Sequence, residues 1–191
     1  MEIYTKEKLY SNKRIILNRI KKGAVFIHPT DTIYGIGCDA TNFKSVKKIY
    51  DIKERKDMPF SVIAPSKEWI IKNCEVEDSL IKAWFNKLPG AYTLILRLKN
   101  KKCIAENVNL GRTTLGVRMP DNWFSEIVKE LGFPIVTTSV NKSGKEFMTC
   151  LEYLDPDIKK EIDFIIYEGK KENRPSNLIN LSQGSLLIEE R

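Results

Sequence analysis

The segment Pro29-Thr30-Asp31-Thr32-Ile33-Tyr34-Gly35-Ile36-Gly37-Cys38-Asp39-Ala40 constrains this chain more than any other. The apolar run from Ala24 to Ile27 delivers it as a buried strand would. Pro29 then ends regular pairing, because it has no N–H to give the ladder. Three hydroxyls and a carboxylate follow, and then two glycines that let the backbone turn sharply or approach a ligand closely. Strand, polar turn, glycines and helix is the order in which an α/β fold presents a ligand site. The same order serves a Gly-rich turn that caps the next helix, so the remaining segments must decide.

Along the chain, Glu7 to Lys22 reads as an amphipathic helix stopped by Gly23. Asn42 is placed to cap a helix from Phe43 to about Glu54, whose last turn carries Lys53, with Arg55 and Lys56 just beyond. Phe60 to Ala64 reads as a short strand, with Ser66 and Asp78 as caps of two helices, the second spanning Ser79 to Leu88. Strands are expected at Tyr92–Leu98, Thr114–Arg118 and Pro134–Thr138, with an Asp121-capped helix running to Leu131. Thr149 and Glu152 have the spacing of a capping box. Asp163–Tyr167, Asn177–Leu181 and Ser185–Glu189 read as late short strands, and polar Lys170 to Asn177 reads as a flap. Helices and strands alternate irregularly, which predicts an α/β fold: one domain over 1–191 with a mixed, twisted sheet and helices on its faces.

Composition narrows the chemistry. A length of 191 residues with 42% hydrophobic content suits one core. No apolar run approaches a membrane span and the N-terminus lacks a signal-peptide core, so a cytoplasmic protein with no membrane partner is expected. Cys38, Cys74, Cys103 and Cys150 are scattered without a C-x-x-C pair, which argues for reduced thiols and against a zinc site. His28 is the single histidine, reading as a strand-end residue, so a Ser-His-Asp triad around any other histidine is excluded. The net charge of +7 favours anionic partners.

The standard nucleotide motifs are missing. Ser143-Gly144-Lys145 lacks the rest of a P-loop, and Gly35 and Gly37 lack the third glycine of a dinucleotide fingerprint. Five segments in order instead resemble the YrdC-type threonylcarbamoyl-AMP synthase family. They are Pro29 to Ala40, Lys53-Glu54-Arg55, Pro89 to Thr93, Thr114-Leu115-Gly116-Val117-Arg118-Met119-Pro120, and Ser139-Val140-Asn141-Lys142-Ser143-Gly144. Pro175-Ser176-Asn177-Leu178-Ile179 is a weaker sixth.

This resemblance implies a single YrdC-like domain with a basic concave face and no additional C-terminal domain. It implies a nucleotidyltransferase that makes threonylcarbamoyl-AMP and pyrophosphate from L-threonine, bicarbonate and ATP with Mg²⁺. A threonylcarbamoyl transferase complex then uses the product on tRNA. Carried over by residue, Lys53 and Arg55 would hold the phosphates, and Thr114, Ser139 and Asn141 would bind ATP. Arg118 would pair with the threonine carboxylate, while Thr32, Thr138 and Ser176 would contact the amino acid. No residue is implied as nucleophile and none as a metal ligand.

The chain departs from the family pattern at three places. Lys56 stands where proline is common, in a segment one residue short before Pro59. Met148 replaces a proline often found before Thr149. The terminal Glu189-Glu190-Arg191 stands where an arginine and glycine usually follow, leaving Arg191 as a substitute nucleotide contact. The competing reading is a YrdC-like RNA-binding protein without synthase activity. Relatives of unsettled activity share the Pro-Thr-Asp-Thr segment but tend to vary the Lys-x-Arg and Ser-x-Asn pairs, and this chain has both pairs.

Overall fold

In the computed structural model, which describes residues 1–183 and 186–189, ten strands share one mixed sheet. In chain order the strands are β1 (Glu2–Tyr4), β2 (Phe26–His28), β3 (Gly35–Gly37), β4 (Ser61–Ile63), β5 (Tyr92–Arg97), β6 (Thr114–Arg118), β7 (Ile135–Ser139), β8 (Phe164–Ile166), β9 (Asn177–Asn180) and β10 (Leu187–Glu189). The helices are α1 (Lys6–Ser11), α2 (Lys13–Lys21), α3 (Phe43–Lys53), α4 (Lys67–Asn73), α5 (Ser79–Phe85), α6 (Phe124–Leu131) and α7 (Pro156–Glu161). Across the sheet the order is β1-β8-β2-β3-β7-β4-β6-β5-β9-β10. β8 pairs parallel with both β1 and β2, and the pairs β4–β6 and β5–β9 are also parallel. The remaining neighbours run antiparallel.

Side chains alternate between the two faces of a strand, and here the alternation builds two cores. Ile27, Ile36, Val62, Leu94, Val117, Val136, Ile165 and Ile179 face one cluster, packed under Val46 and Ile49 of α3, Ile70 of α4, Phe85 of α5 and Ile158 of α7. Phe26, Ile63, Ile135, Phe164 and Ile166 face the other, packed with Leu9, Ile16 and Ile20 from α1 and α2 and with Phe124, Ile127 and Val128 from α6. This second cluster takes no residue from β5, β6 or β9. Thr93, Thr114, Gly116 and Asn180 alternate with the apolar residues there, and they line a cavity instead of a core.

Local chemistry explains most of the element ends. Asn42, Ser66 and Asp78 cap their helices by accepting from Ser45 N, Trp69 N, and Leu80 N and Ile81 N. Several expectations are corrected. The first helix is two, broken at Asn12, whose backbone leaves helical geometry at φ −113°, ψ 17°. Asp121 does not cap α6: Asn122 Oδ1 accepts from Phe124 N at 2.9 Å, and Asp121 donates its own N–H to Asp31. No capping box forms at Thr149, because the short 3₁₀ turn Leu151–Tyr153 is preceded by Cys150. β1 and the Asp155-capped α7 were not expected. Ser185, the first residue of the last expected strand, lies outside the described residues, as does Arg191.

The two glycines of the opening segment lie in an extended strand, not in a turn. Each is needed for close approach: a Cβ on Gly35 would sit 2.8 Å from two ring atoms of His28, and one on Gly37 would sit 2.7 Å from Val136 O. The His28 ring lies fully buried between Gly35 and Phe124, stacked on the latter at 4.9 Å. Its Nδ1 lies 3.2 Å from Pro29 O, an acceptor, so Nδ1 carries the proton and donates. Burial is the main cause that pulls this imidazole from 6.5 down to about 4; the nearby Arg118 charge helps, and the bond to Pro29 O opposes it.

The native state therefore resists a proton that the unfolded chain accepts, so His28 contributes stability above pH 6.5 that is lost as the pH falls toward about 4. The shift corresponds to about 3 kcal/mol at most. Urea denaturation of wild type and His28→Phe from pH 7.5 to 4.5 should show wild type losing stability faster than the variant over that window; parallel curves would contradict it.

Candidate functional site

A cavity of about 580 Å³ opens on the uncovered half of the sheet. Its floor takes alternate residues from adjacent strands: Ser61 from β4, Thr93 from β5, Thr114, Gly116 and Arg118 from β6, Thr137 and Ser139 from β7, and Asn180 from β9. Gly116 keeps the floor low, since a Cβ there would lie 2.4 Å from Ser61 Oγ. Among the described residues the charged groups of the lining are Arg55, Arg112 and Arg118, with no Asp, Glu or Lys. A concave surface whose charged lining groups are arginines concentrates field for an anion, most of all around Arg55 and Arg112. Among the described residues no three His, Cys, Asp or Glu side chains cluster to hold a metal ion.

At one end, Arg118 Nη2 pairs with Asp31 Oδ1 at 2.6 Å, and both side chains are largely buried, at 7% and 12% exposure. Asp31 Oδ2 accepts from Asp121 N at 3.0 Å, so the carboxylate is anchored from both sides. Thr30 Oγ1 donates to Ile33 O at 2.7 Å and receives Thr32 N, which makes the turn rigid. Thr32 Oγ1 lies 3.0 Å from Thr30 Oγ1 and accepts from Arg118 Nη2 at 3.3 Å. The segment expected as a flap is bonded onto this turn. Lys171 Nζ donates to Thr30 O at 2.7 Å and Asn173 Nδ2 to Asp31 O at 2.9 Å. It delivers buried Ser176, whose Oγ lies 2.7 Å from buried Thr93 Oγ1.

At the other end, α3 meets the end of β7. Lys53 is 1% exposed, and its ammonium donates to Ser139 O (2.5 Å), Asn141 O (2.6 Å) and Asn141 Oδ1 (3.0 Å). Its own carbonyl receives Ser143 N at 3.0 Å. Ser139 Oγ donates to Asn141 Oδ1 at 2.6 Å, and Asn141 Nδ2 to Lys145 O at 2.6 Å. Burial, then the Arg55 charge, lowers Lys53 from 10.5 to about 7. The three oxygen acceptors favour the charged form and hold against that pull. Past Lys53 the helix ends on Glu54 in the left-handed region (φ 50°), which swings Arg55 toward the cavity. There Arg55 donates to Met58 O and Pro59 O, with its guanidinium 5.1 Å from the Phe60 ring centroid.

Of the residues singled out in the sequence, Arg55, Thr114, Arg118, Thr138, Ser139 and Ser176 line the one cavity. Lys53, Asn141 and Thr32 are not on its lining; they brace the turns that are. Thr93, Arg112 and Asn180 went unassigned. Arg112 lies before β6, just after the turn at Leu110 and Gly111, so no strand pattern marks it.

Lys53→Met would leave Ser139 O and Asn141 O without this donor, while Asn141 Oδ1 keeps the Ser139 hydroxyl, an expected loss of about 2–4 kcal/mol. Arg55→Ala, at the half-exposed cavity edge, should cost under about 1 kcal/mol. Urea denaturation of the two variants reads the difference; equal losses would contradict it.

Three comparisons bear on this geometry. The family model of Sua5, YciO and YrdC, described as "Telomere recombination", matches residues 18–189. A Methanocaldococcus jannaschii protein provisionally named as a threonylcarbamoyl-AMP synthase is 37% identical over 178 residues, covering 92% of this chain and 81% of that protein. The crystal structure of P. abyssi Sua5 complexed with L-threonine superposes with a TM-score of 0.86 at 26% identity, covering 98% of this chain. This chain spans only 56% of that one. E. coli YciO, an uncharacterized protein, is 27% identical over 88% of this chain and 83% of its own length. Its crystal structure superposes with a TM-score of 0.86, covering 100% of this chain and 96% of that one. The chain belongs to the Sua5/YciO/YrdC family.

Proposed function

We propose that the protein is an L-threonylcarbamoyladenylate synthase, joining L-threonine, bicarbonate and ATP into threonylcarbamoyl-AMP with release of pyrophosphate. The observation that carries this reading is one cavity whose charged lining, among the described residues, is all arginine, with a hydroxyl-rich floor between its two ends. A polyanion at the Arg55 end and an amino-acid carboxylate at the Arg118 end would meet over that floor. The P. abyssi relative crystallised with L-threonine supports an amino-acid site in the same fold.

The chemistry needs no protein nucleophile. The unprotonated threonine amine attacks dissolved CO₂, giving a carbamate and a proton released to solvent, or attacks bicarbonate, giving the carbamate with loss of water. A carbamate oxygen then attacks the α-phosphorus of ATP, and pyrophosphate departs with the bonding pair. The protein's part is to align the partners and stabilise charge gathering at phosphorus. Arg55 is assigned to the phosphates, with Thr114 and Ser139 beside the nucleotide. Lys53 and Asn141 act from behind, fixing the Ser139 turn. Arg118 takes the threonine carboxylate, pre-aimed by Asp31 and by Thr32 behind it, while Thr138 and Ser176 face the amino acid. Mg²⁺ is assigned as a companion of the ATP phosphates; among the described residues no group of three His, Cys, Asp or Glu side chains would hold an ion. The product would pass to a threonylcarbamoyl transferase complex acting on tRNA in the cytoplasm.

A second reading is an RNA-binding protein without synthase activity; the fold alone does not decide against it, since YciO superposes as well as the threonine-bound relative. Pyrophosphate release separates the two. It should require threonine, bicarbonate and ATP together, and equal release without threonine would overturn the synthase reading. Arg118→Ala, shown folded by circular dichroism, should weaken threonine binding about 30- to 150-fold, the value of a lost charge-assisted pair. Unchanged affinity by calorimetry would remove Arg118 from the amino-acid site.

A further inference from the structure

We propose that Arg112 is a phosphate-binding residue that works beside Arg55 and grips the pyrophosphate portion of the substrate. The inference rests on the reading of the cavity as a nucleotide site and adds a residue to it.

Three successive carbonyls carry both guanidinium groups. Arg112 Nη2 donates to Asp57 O at 3.3 Å, while Arg55 donates to Met58 O at 3.0 Å and to Pro59 O at 2.9 Å. Both positive charges act on the nearby Tyr50 hydroxyl. Both residues line the cavity, and no carboxylate lines it with them among the described residues. Two like charges held on adjacent carbonyls repel, and a polyanion offsets that repulsion better than water does. The Asp57 contact is long and engages one nitrogen, which leaves most of the Arg112 fork to face a ligand.

The backbone is built to hold Arg112 there. Leu110 and Gly111 both take positive φ, at 56° and 71°, which turns the chain sharply before the strand. Asn109, 4% exposed, donates its amide to Arg112 O at 2.7 Å and to Thr114 O at 2.9 Å. One buried side chain therefore sets the registry of Arg112 and Thr114 together. Arg112, two residues before β6, lines the same cavity as Thr114, Gly116 and Arg118. An arginine whose side chain is exposed but whose backbone is clamped is preorganised for a ligand.

The test titrates inorganic pyrophosphate by calorimetry into wild type, Arg112→Ala, Arg112→Lys and Arg14→Ala. Arg14 is exposed on α2, off the cavity, and its removal changes the net charge equally. Arg112→Ala should weaken pyrophosphate binding about ten-fold or more, with Arg112→Lys in between, since a lysine keeps the charge without the fork. Arg14→Ala should stay within about two-fold, as expected for a distant screened charge, and threonine affinity in Arg112→Ala should be unchanged. Wild-type affinity in Arg112→Ala, an equal loss in Arg14→Ala, or no pyrophosphate binding by wild type would each overturn the assignment. Arg112-dependent pyrophosphate binding without threonine-dependent turnover would overturn the synthase reading while leaving this one standing.

Discussion

The buried ammonium of Lys53 is the interaction on which the site depends. It joins the last turn of α3 to the end of β7 through three oxygen acceptors. Removing a lysine from water is costly, and the cost is met only where every N–H finds an oxygen. Once Lys53 is fixed there, Glu54 ends the helix in the left-handed region and Arg55 emerges toward the cavity. The reciprocal bond from Ser143 N to Lys53 O closes the joint, and the Lys142–Glu54 pair flanks it at the surface. The Lys-x-Arg and Ser-x-Asn segments thus form one structural unit, though nearly ninety residues separate them.

The second constraint is the half of the sheet face that no helix covers. On the covered half, alternate residues are Phe26, Ile63, Ile135 and Phe164, which build a core. On the open half the same positions are hydroxyls, glycine and arginine. A face of that composition would be poor packing, and it is a good floor for polar ligands. Asp31 offsets the burial of the Arg118 charge, and its second oxygen is anchored on the Asp121 N–H. The amino-acid end of the cavity is therefore shaped by an internal ion pair, and the phosphate end by guanidinium groups resting on carbonyls.

Much of this was legible in the sequence because its signals are local. Asn42, Ser66 and Asp78 announce helix starts through short side chains that reach their own turns. The apolar runs of β5, β6 and β7 announce themselves by composition. β3 was hidden because its two glycines have little strand preference; pairing with β2 and β7 overrides that, and the glycines serve the approach of His28 and Val136 O. β1 is only three residues and exists through its parallel pairing with β8, a contact across most of the chain. Asp121 misled because an aspartate before a helix is usually a cap, whereas here its backbone serves Asp31. The motifs brought most of the cavity together, but a motif does not say which member touches the ligand and which braces its neighbour. Lys53 and Asn141 brace the Ser139 turn from outside the cavity lining, and Arg112 belongs to no motif at all.

The account stands or falls on whether this cavity joins all three substrates. The most direct measurement supplies ¹³C-bicarbonate with L-threonine and ATP and analyses the products by mass spectrometry. The account predicts one adduct containing threonine, the labelled carbon and AMP. Turnover of ATP without the labelled carbon entering a threonine–AMP adduct, or no adduct from folded protein, would contradict it.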